Sequence, residues 1–216
     1  MKRVVAVLAV ACASLIFASP ALAAEFGVGV KVGTYGWGAE FGVAFSEWFT
    51  LRASANTASV SGDYEEDGID YDADLNVGGY GLLADFFPMR GTFRLSAGLL
   101  ANGNEIDLDA TPTTDIDIGN NTYTPAQVGV LSGDVDFDDS VPYFGLGWGN
   151  VARGGRVAFL VDLGFIRQGS GDVSLRSSTG IVSQSDLDAE AAIIEDDIED
   201  YDFWPIISFG LAIRFR

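Results

Sequence analysis

Eight stretches of this chain alternate large apolar residues with small or polar ones. After the first two dozen residues, no apolar run approaches the roughly 18 that a membrane-spanning helix needs. Alternation of period two is the signature of a strand with two unlike faces, because successive side chains leave the backbone on opposite sides. The pattern predicts strands over 25–34, 36–45, 49–60, 74–87, 92–108, 136–149, 156–169 and 203–215. In the first, Phe26, Val28, Val30 and Val32 share one face, and Gly27, Gly29, Lys31 and Gly33 share the other. The last sets Phe209, Leu211, Ile213 and Phe215 against Ser208, Gly210, Ala212 and Arg214.

A soluble sandwich also alternates, but its second face meets water and carries charged and Thr-rich positions. Here the second face is mainly glycine, alanine and serine with an occasional charge. The 27 glycines among 216 residues are well above the usual roughly 7%. Such a face suits the crowded interior of a narrow closed barrel whose large residues point to lipid. The fold class expected is therefore all-β, a closed eight-stranded antiparallel transmembrane β-barrel.

The first residues add a destination. Met1, Lys2 and Arg3 precede an apolar run from Val4 to Ala18 and the small-residue segment Ser19-Pro20-Ala21-Leu22-Ala23-Ala24. That is the layout of a cleavable export signal over 1–23, leaving a barrel domain over 24–216. Cleavage removes Cys12, so disulfides contribute nothing to the exported chain. It also leaves 10 basic against 31 acidic residues, a formal charge of −21, which excludes nucleic acid as a partner.

Connections and aromatic residues agree with a barrel. Counting from an N-terminus on the periplasmic side, the inner connections at 46–48, 88–91 and 150–155 are short. The outer ones at 61–73, 109–135 and 170–202 are long, and only the first, 34–36, is a tight turn. Phe45, Trp48, Phe49, Phe86, Phe87, Phe93, Trp148 and Phe215 gather near one interface, and Tyr35, Trp37, Tyr201, Phe203 and Trp204 near the other, as two girdles. In this topology, these girdles and the closing segment from Ile207 to Phe215, the chain resembles the eight-stranded outer-membrane barrels related to the OmpA transmembrane domain and the OmpW-type porins. The resemblance covers residues 25–215 and implies the outer membrane of a Gram-negative cell, with membrane lipid and lipopolysaccharide around the barrel. It also implies recognition of the last strand by the barrel-assembly machinery, although Arg216 follows the usual terminal aromatic.

The chain has no histidine. Enzymes among barrels of this resemblance depend on one, and without His or an exported Cys the common acid-base and nucleophilic arrangements are missing. The expectation is a protein that is not an enzyme and takes no cofactor. The inward faces carry Lys31, Glu40, Arg52, Asp85, Arg94, Asp162 and Arg214, four cations and three anions. Buried ions must pair, so these residues form either a structural network filling the lumen or a gate on a narrow path for ions or small apolar solutes.

Acidic residues crowd the outer connections. Asp63, Glu65, Glu66, Asp67, Asp70, Asp72 and Asp74 fall in one, and Asp134, Asp136, Asp138 and Asp139 end the next. These are solvated loops, with divalent-cation bridging to lipopolysaccharide phosphates as the functional alternative. The last connection contains Leu187, Ala191, Ile194 and Ile198 at helical spacing after Ser185, which predicts a short helix over 186–200 that caps the lumen or forms an apolar port.

Overall fold

The computed structural model describes residues 25–66 and 68–215, so the expected export signal over 1–23, Asp67 and Arg216 lie outside the described residues. Eight antiparallel strands pair in a ring. They are β1 (Glu25–Gly33), β2 (Gly36–Ala44), β3 (Phe49–Glu66), β4 (Ile69–Phe86), β5 (Phe93–Asn102), β10 (Ser140–Trp148), β11 (Val157–Arg167) and β13 (Phe203–Phe215). Each pairs with the next, and β13 returns to β1 with Phe26 opposite Phe215 and Val32 opposite Phe209. No helix among the described residues is long and apolar enough to cross a membrane, which says nothing of strands.

The alternation is realised as expected. Val30, Val32, Phe159 and Phe209 on the ring's outer surface are 63, 61, 80 and 59% exposed, whereas Glu40, Arg52, Asp85, Arg94 and Asp162 inside are at most 3% exposed. Ions inside and large apolar side chains outside invert the arrangement of a water-soluble sheet.

The long connections are not loops. The end of the ring bearing the β3–β4 turn is here the upper end. There β13, β1 and β2 stop, while β3 and β4 run on and, after short breaks in the chain next to β5, β10 and β11, three further strands join them in an upper sheet continuous with the ring. β3 and β4 run on to a turn at Gly68, in unbroken register from Phe49 opposite Phe86 to Glu66 opposite Ile69. Beside them lie β6 (Glu105–Pro112), β9 (Leu131–Asp136) and β12 (Asp172–Ser177), in the order β3-β4-β6-β9-β12. The expected strand over 92–108 is thus β5 and β6, interrupted at Gly103-Asn104. At this corner Gly78 has φ +144°, and a Cβ there would lie 2.4 Å from the Asn56 carbonyl oxygen. Only glycine fits. The Gly78 carbonyl accepts from Tyr35 Oη at 2.5 Å and from Gly103 N at 2.9 Å, and its N–H donates to Asn104 Oδ1 at 3.1 Å.

Along β3 and β4 the alternation never breaks, but its chemistry reverses at the rim. The outward row of β3 passes from Leu51, Ala53 and Ala55 to Asp63 and Glu65. The inward row of β4 passes from Asp85 to Leu75, Ala73 and Tyr71. One face of the upper sheet therefore carries carboxylates directly opposite one another, including Asp63 with Asp72, Asp72 with Asp109, Asp74 with Asp107, and Asp107 with Asp134.

Its other face is apolar and partly covered. The hairpin of β7 (Ile116–Ile118) and β8 (Asn121–Tyr123), the single turn α1 (Pro125–Val128) and the helix α2 (Gln184–Ile198) enclose a core of Ile118, Val128, Val182 and Leu187, against which Leu131 and Leu175 pack. The helix starts earlier than the spacing suggests. Ser183 rather than Ser185 is its N-cap, with Oγ accepting from Asp186 N, and it buries Leu187 and Ala191. It packs against β12 and the hairpin. A 3-10 turn, Glu199–Tyr201, leads into β13.

The girdles form with three exceptions. At the lower end Phe26 stacks on Phe215, Trp48 on Phe86, and Phe93 meets Trp148. At the upper rim Trp37, Tyr201 and Phe203 are exposed. Phe87 and Tyr35 are instead buried, and Trp204 packs against the upper interior.

Candidate functional site

Six of the seven inward charges meet halfway along the ring. Arg52 on β3 is the hub. Its Nη1 donates to Glu40 Oε2 at 2.9 Å and Asp162 Oδ2 at 3.2 Å, and its Nη2 to Asp85 Oδ1 and Asp162 Oδ1, both at 3.1 Å. Arg94 on β5 donates from Nη2 to Asp162 Oδ1 at 2.7 Å and from Nη1 to the Gly149 carbonyl. Ser96 Oγ adds a bond of 2.6 Å to Asp85 Oδ1. Lys31 Nζ lies 3.7 Å from Glu40 Oε2. Three cations face three carboxylates, so the cluster is formally neutral.

Small residues opposite make room for it. A Cβ at Gly147 would lie 3.0 Å from Arg94 Cζ, and one at Gly29 would lie 3.1 Å from Glu40 Cγ. The glycine-rich inner face is therefore the complement of two arginines, a lysine and a glutamate in a narrow bore.

Arg214 does not join. Its Nε donates to the Asn150 carbonyl at 2.9 Å and its Nη1 to the Gly155 carbonyl, so it braces the turn between β10 and β11 at the lower end. Alternation assigns its face correctly but not its height.

Apolar layers close on the ions from both sides. Above lie Tyr35, Leu83, Leu100, Val141, Tyr143, Ile166 and Ile206. Below, the β10–β11 turn folds inward, and its Val151 and Ala152, 2 and 1% exposed, pack with Ala44, Ala158, Leu160 and Ala212. The sequence reading placed this turn at 150–155 but not its inward fold, whose only signal is an apolar pair, Val151-Ala152, inside a short polar connection. Ser54, Ser208, Lys31 and Asp162 border a cavity of about 20 Å³, room for about one water.

The carboxylates of the upper sheet stand in rows rather than in a cage, and among the described residues no group of them is arranged to hold a metal ion. Neighbouring charge leaves a mark. Asp107 is held above the usual carboxylate range by burial and by Asp134, and Glu105 is raised chiefly by Asp107. Asp186 behaves oppositely. Hydrogen bonds from Ser183, Tyr123 and Asn121 bring it down to about 2. These bonds, Tyr123 Oη at 2.6 Å and Asn121 Nδ2 at 3.0 Å among them, tie the hairpin to the start of α2.

No family model matches this chain, and no curated protein does. Among solved structures it is similar to CarO2 of Acinetobacter baumannii, with a TM-score of 0.59 at 20% identity over 88% of this chain and 98% of that one. CarO of the same organism gives a TM-score of 0.58 at 21% identity, with the same coverage. The fold is that of an outer-membrane β-barrel. At this identity the likeness concerns architecture.

Proposed function

We propose that this chain is a non-enzymatic integral outer-membrane protein, exported by cleavage after Ala23. Its closed eight-stranded barrel anchors a folded head above the membrane, giving it a structural and surface role in the envelope. The observation that carries this reading is the reversal of face chemistry at the upper rim. The outward row of β3 turns from Leu51, Ala53 and Ala55 to Asp63 and Glu65 without a break in register, as a strand leaving hydrocarbon for water must.

The lumen is a filled, ion-paired brace. Arg52 reaches three carboxylates on three other strands, and apolar layers lie on both sides of it. Its carboxylates are committed to cations, and the chain has no histidine, which supports a role without catalysis. Lipid and lipopolysaccharide surround the barrel in this reading, and β13, the strand that completes the ring, is the segment offered to the assembly machinery.

The test is conductance of the refolded chain in planar bilayers, together with the heat-dependent shift in electrophoretic mobility that such barrels display. A shift with no discrete conductance steps is expected. Stable steps that change in Glu40→Gln or Asp162→Asn would instead establish the competing reading, a gated conduit for ions or small apolar solutes. Absence of the mobility shift would refute the barrel.

A further inference from the structure

The upper sheet has two edges, and they are treated differently. Along β12, helix α2 lies against the strand and Glu195 accepts the Val173 N–H at 3.0 Å. Along β3, pairing with β2 ends at Thr57, opposite Trp37, and among the described residues no strand pairs beyond it on that side. The strand nevertheless continues in unbroken register to Glu66, because β4 pairs along its other side.

Which backbone groups face the gap follows from the lower end. The Trp48 carbonyl accepts from Phe87 N on the β4 side, and the Phe49 carbonyl from Phe45 N on the β2 side. The register has no bulge, so odd-numbered residues keep facing the β2 side throughout. The Thr57 carbonyl oxygen, 2.4 Å from where a Cβ on Gly36 would stand, agrees. Above the rim Ser59, Ser61, Asp63 and Glu65 therefore point their N–H and C=O groups away from β4. All four residues are exposed.

Natural edges this long are usually covered, kinked or guarded by lysine. This one carries no bulge and no lysine, and its side chains select a partner. Asp63 and Glu65 stand on one face at alternate positions and continue into the acidic rows of β4 and β6. On the other face Val60 and Tyr64 are 63 and 51% exposed, with Tyr64 stacked on Tyr71 at 4.8 Å. A strand laid alongside would satisfy the free backbone groups, set alternate basic residues against Asp63 and Glu65, and set the intervening apolar residues beside Val60 and Tyr64.

We propose that the free upper edge of β3, from Ser59 to Glu65, binds an extended cationic peptide segment as an added antiparallel strand, one whose basic and apolar residues alternate. This goes beyond the anchoring role above and concerns what the head recognises. A second copy of the chain would bring acid to acid along the same edge, so charge favours a basic partner over self-pairing.

The test uses the refolded full chain in micelles and a labelled nine-residue peptide of alternating lysine and valine with blocked ends, read by fluorescence anisotropy. Binding is expected, with a scrambled peptide of the same composition weaker. In an antiparallel addition the residues opposite Asp63 and Glu65 are the ones whose N–H groups face β3, so N-methylation of the lysines abolishes binding and N-methylation of the valines does not. Ser61→Pro removes an outward N–H at a position where an edge strand tolerates proline, and it is expected to weaken binding about tenfold. The double variant Asp63→Lys with Glu65→Lys leaves the backbone intact and is expected to abolish binding, which covers the case of Ser61→Pro misfolding. Equal binding of both methylated peptides, or of the scrambled one, would mean mere adsorption to acidic surface and would overturn the proposal. So would a dimer of the chain that forms without peptide and is lost in Ser61→Pro. None of these readouts depends on conductance or on the membrane side the head faces.

Discussion

Arg52 and Asp162 stand 110 residues apart in sequence and on strands four places apart in either direction around the ring, yet two hydrogen bonds of 3.1 and 3.2 Å join them. A side-chain bond between opposite staves crosses the whole bore. It ties β3 to β11 directly, and Arg94, bonded to the same carboxylate, extends the tie to β5.

Removing the hub leaves three carboxylates facing two remaining cations in a place with little water. Arg52→Met is expected to destabilise the barrel by about 3–5 kcal/mol, as breaking buried ion pairs does. Urea unfolding in micelles, followed by tryptophan fluorescence, checks it. A loss below about 1 kcal/mol would show that water reaches the site.

The carboxylates are not equivalent. Asp162 serves both arginines, whereas Glu40 serves one arginine at hydrogen-bond distance and Lys31 at 3.7 Å. Asp162→Asn is therefore expected to cost more stability than Glu40→Gln, by the same unfolding measurement, and a reversed order would contradict the geometry.

At the corner where the ring opens into the upper sheet, Gly78→Ala meets both an unfavourable φ and the Asn56 carbonyl. A cost of about 1–3 kcal/mol is expected, with the head loosened before the barrel. Limited proteolysis should then cut within 105–136 in the variant while the heat-dependent mobility shift persists.

Acid acts on the head in two opposite ways. The folded pKa of Asp107 and Glu105 is raised, so these groups oppose folding when charged, and stability rises as pH falls from neutral through their folded values. Asp186 is depressed to about 2, so its contribution is complete above the usual carboxylate range and is lost as pH falls through its folded value. Protection factors of the upper-sheet amides, that is, exchange corrected for its intrinsic pH dependence, should thus rise on mild acidification and fall again near pH 2. Asp186→Asn should remove the second phase only.

Much of the barrel was legible because alternation is local. Whether Phe209 points out and Ser208 points in depends on backbone geometry alone, and β13 occupies the predicted 203–215. The same signal was present but misread in Ile69-Asp70-Tyr71-Asp72-Ala73, just ahead of the strand expected from 74. Dense acid suggested a solvated loop, yet its period is two. It folds as strand because β6 brings a second set of backbone partners, with Asp72 opposite Asp109 and Leu75 opposite Ile106.

Composition and period by themselves determined that this chain makes two-faced strands, with ions and small residues on one face and large apolar residues on the other. Only the tertiary structure decided which ions meet. Lys31 and Arg214 both lie on inward faces, but Lys31 reaches Glu40 while Arg214 ends at the Asn150 carbonyl. Face is a property of one residue's parity. Height in the bore depends on the relative register of eight strands, which is set by contacts between segments far apart in the chain.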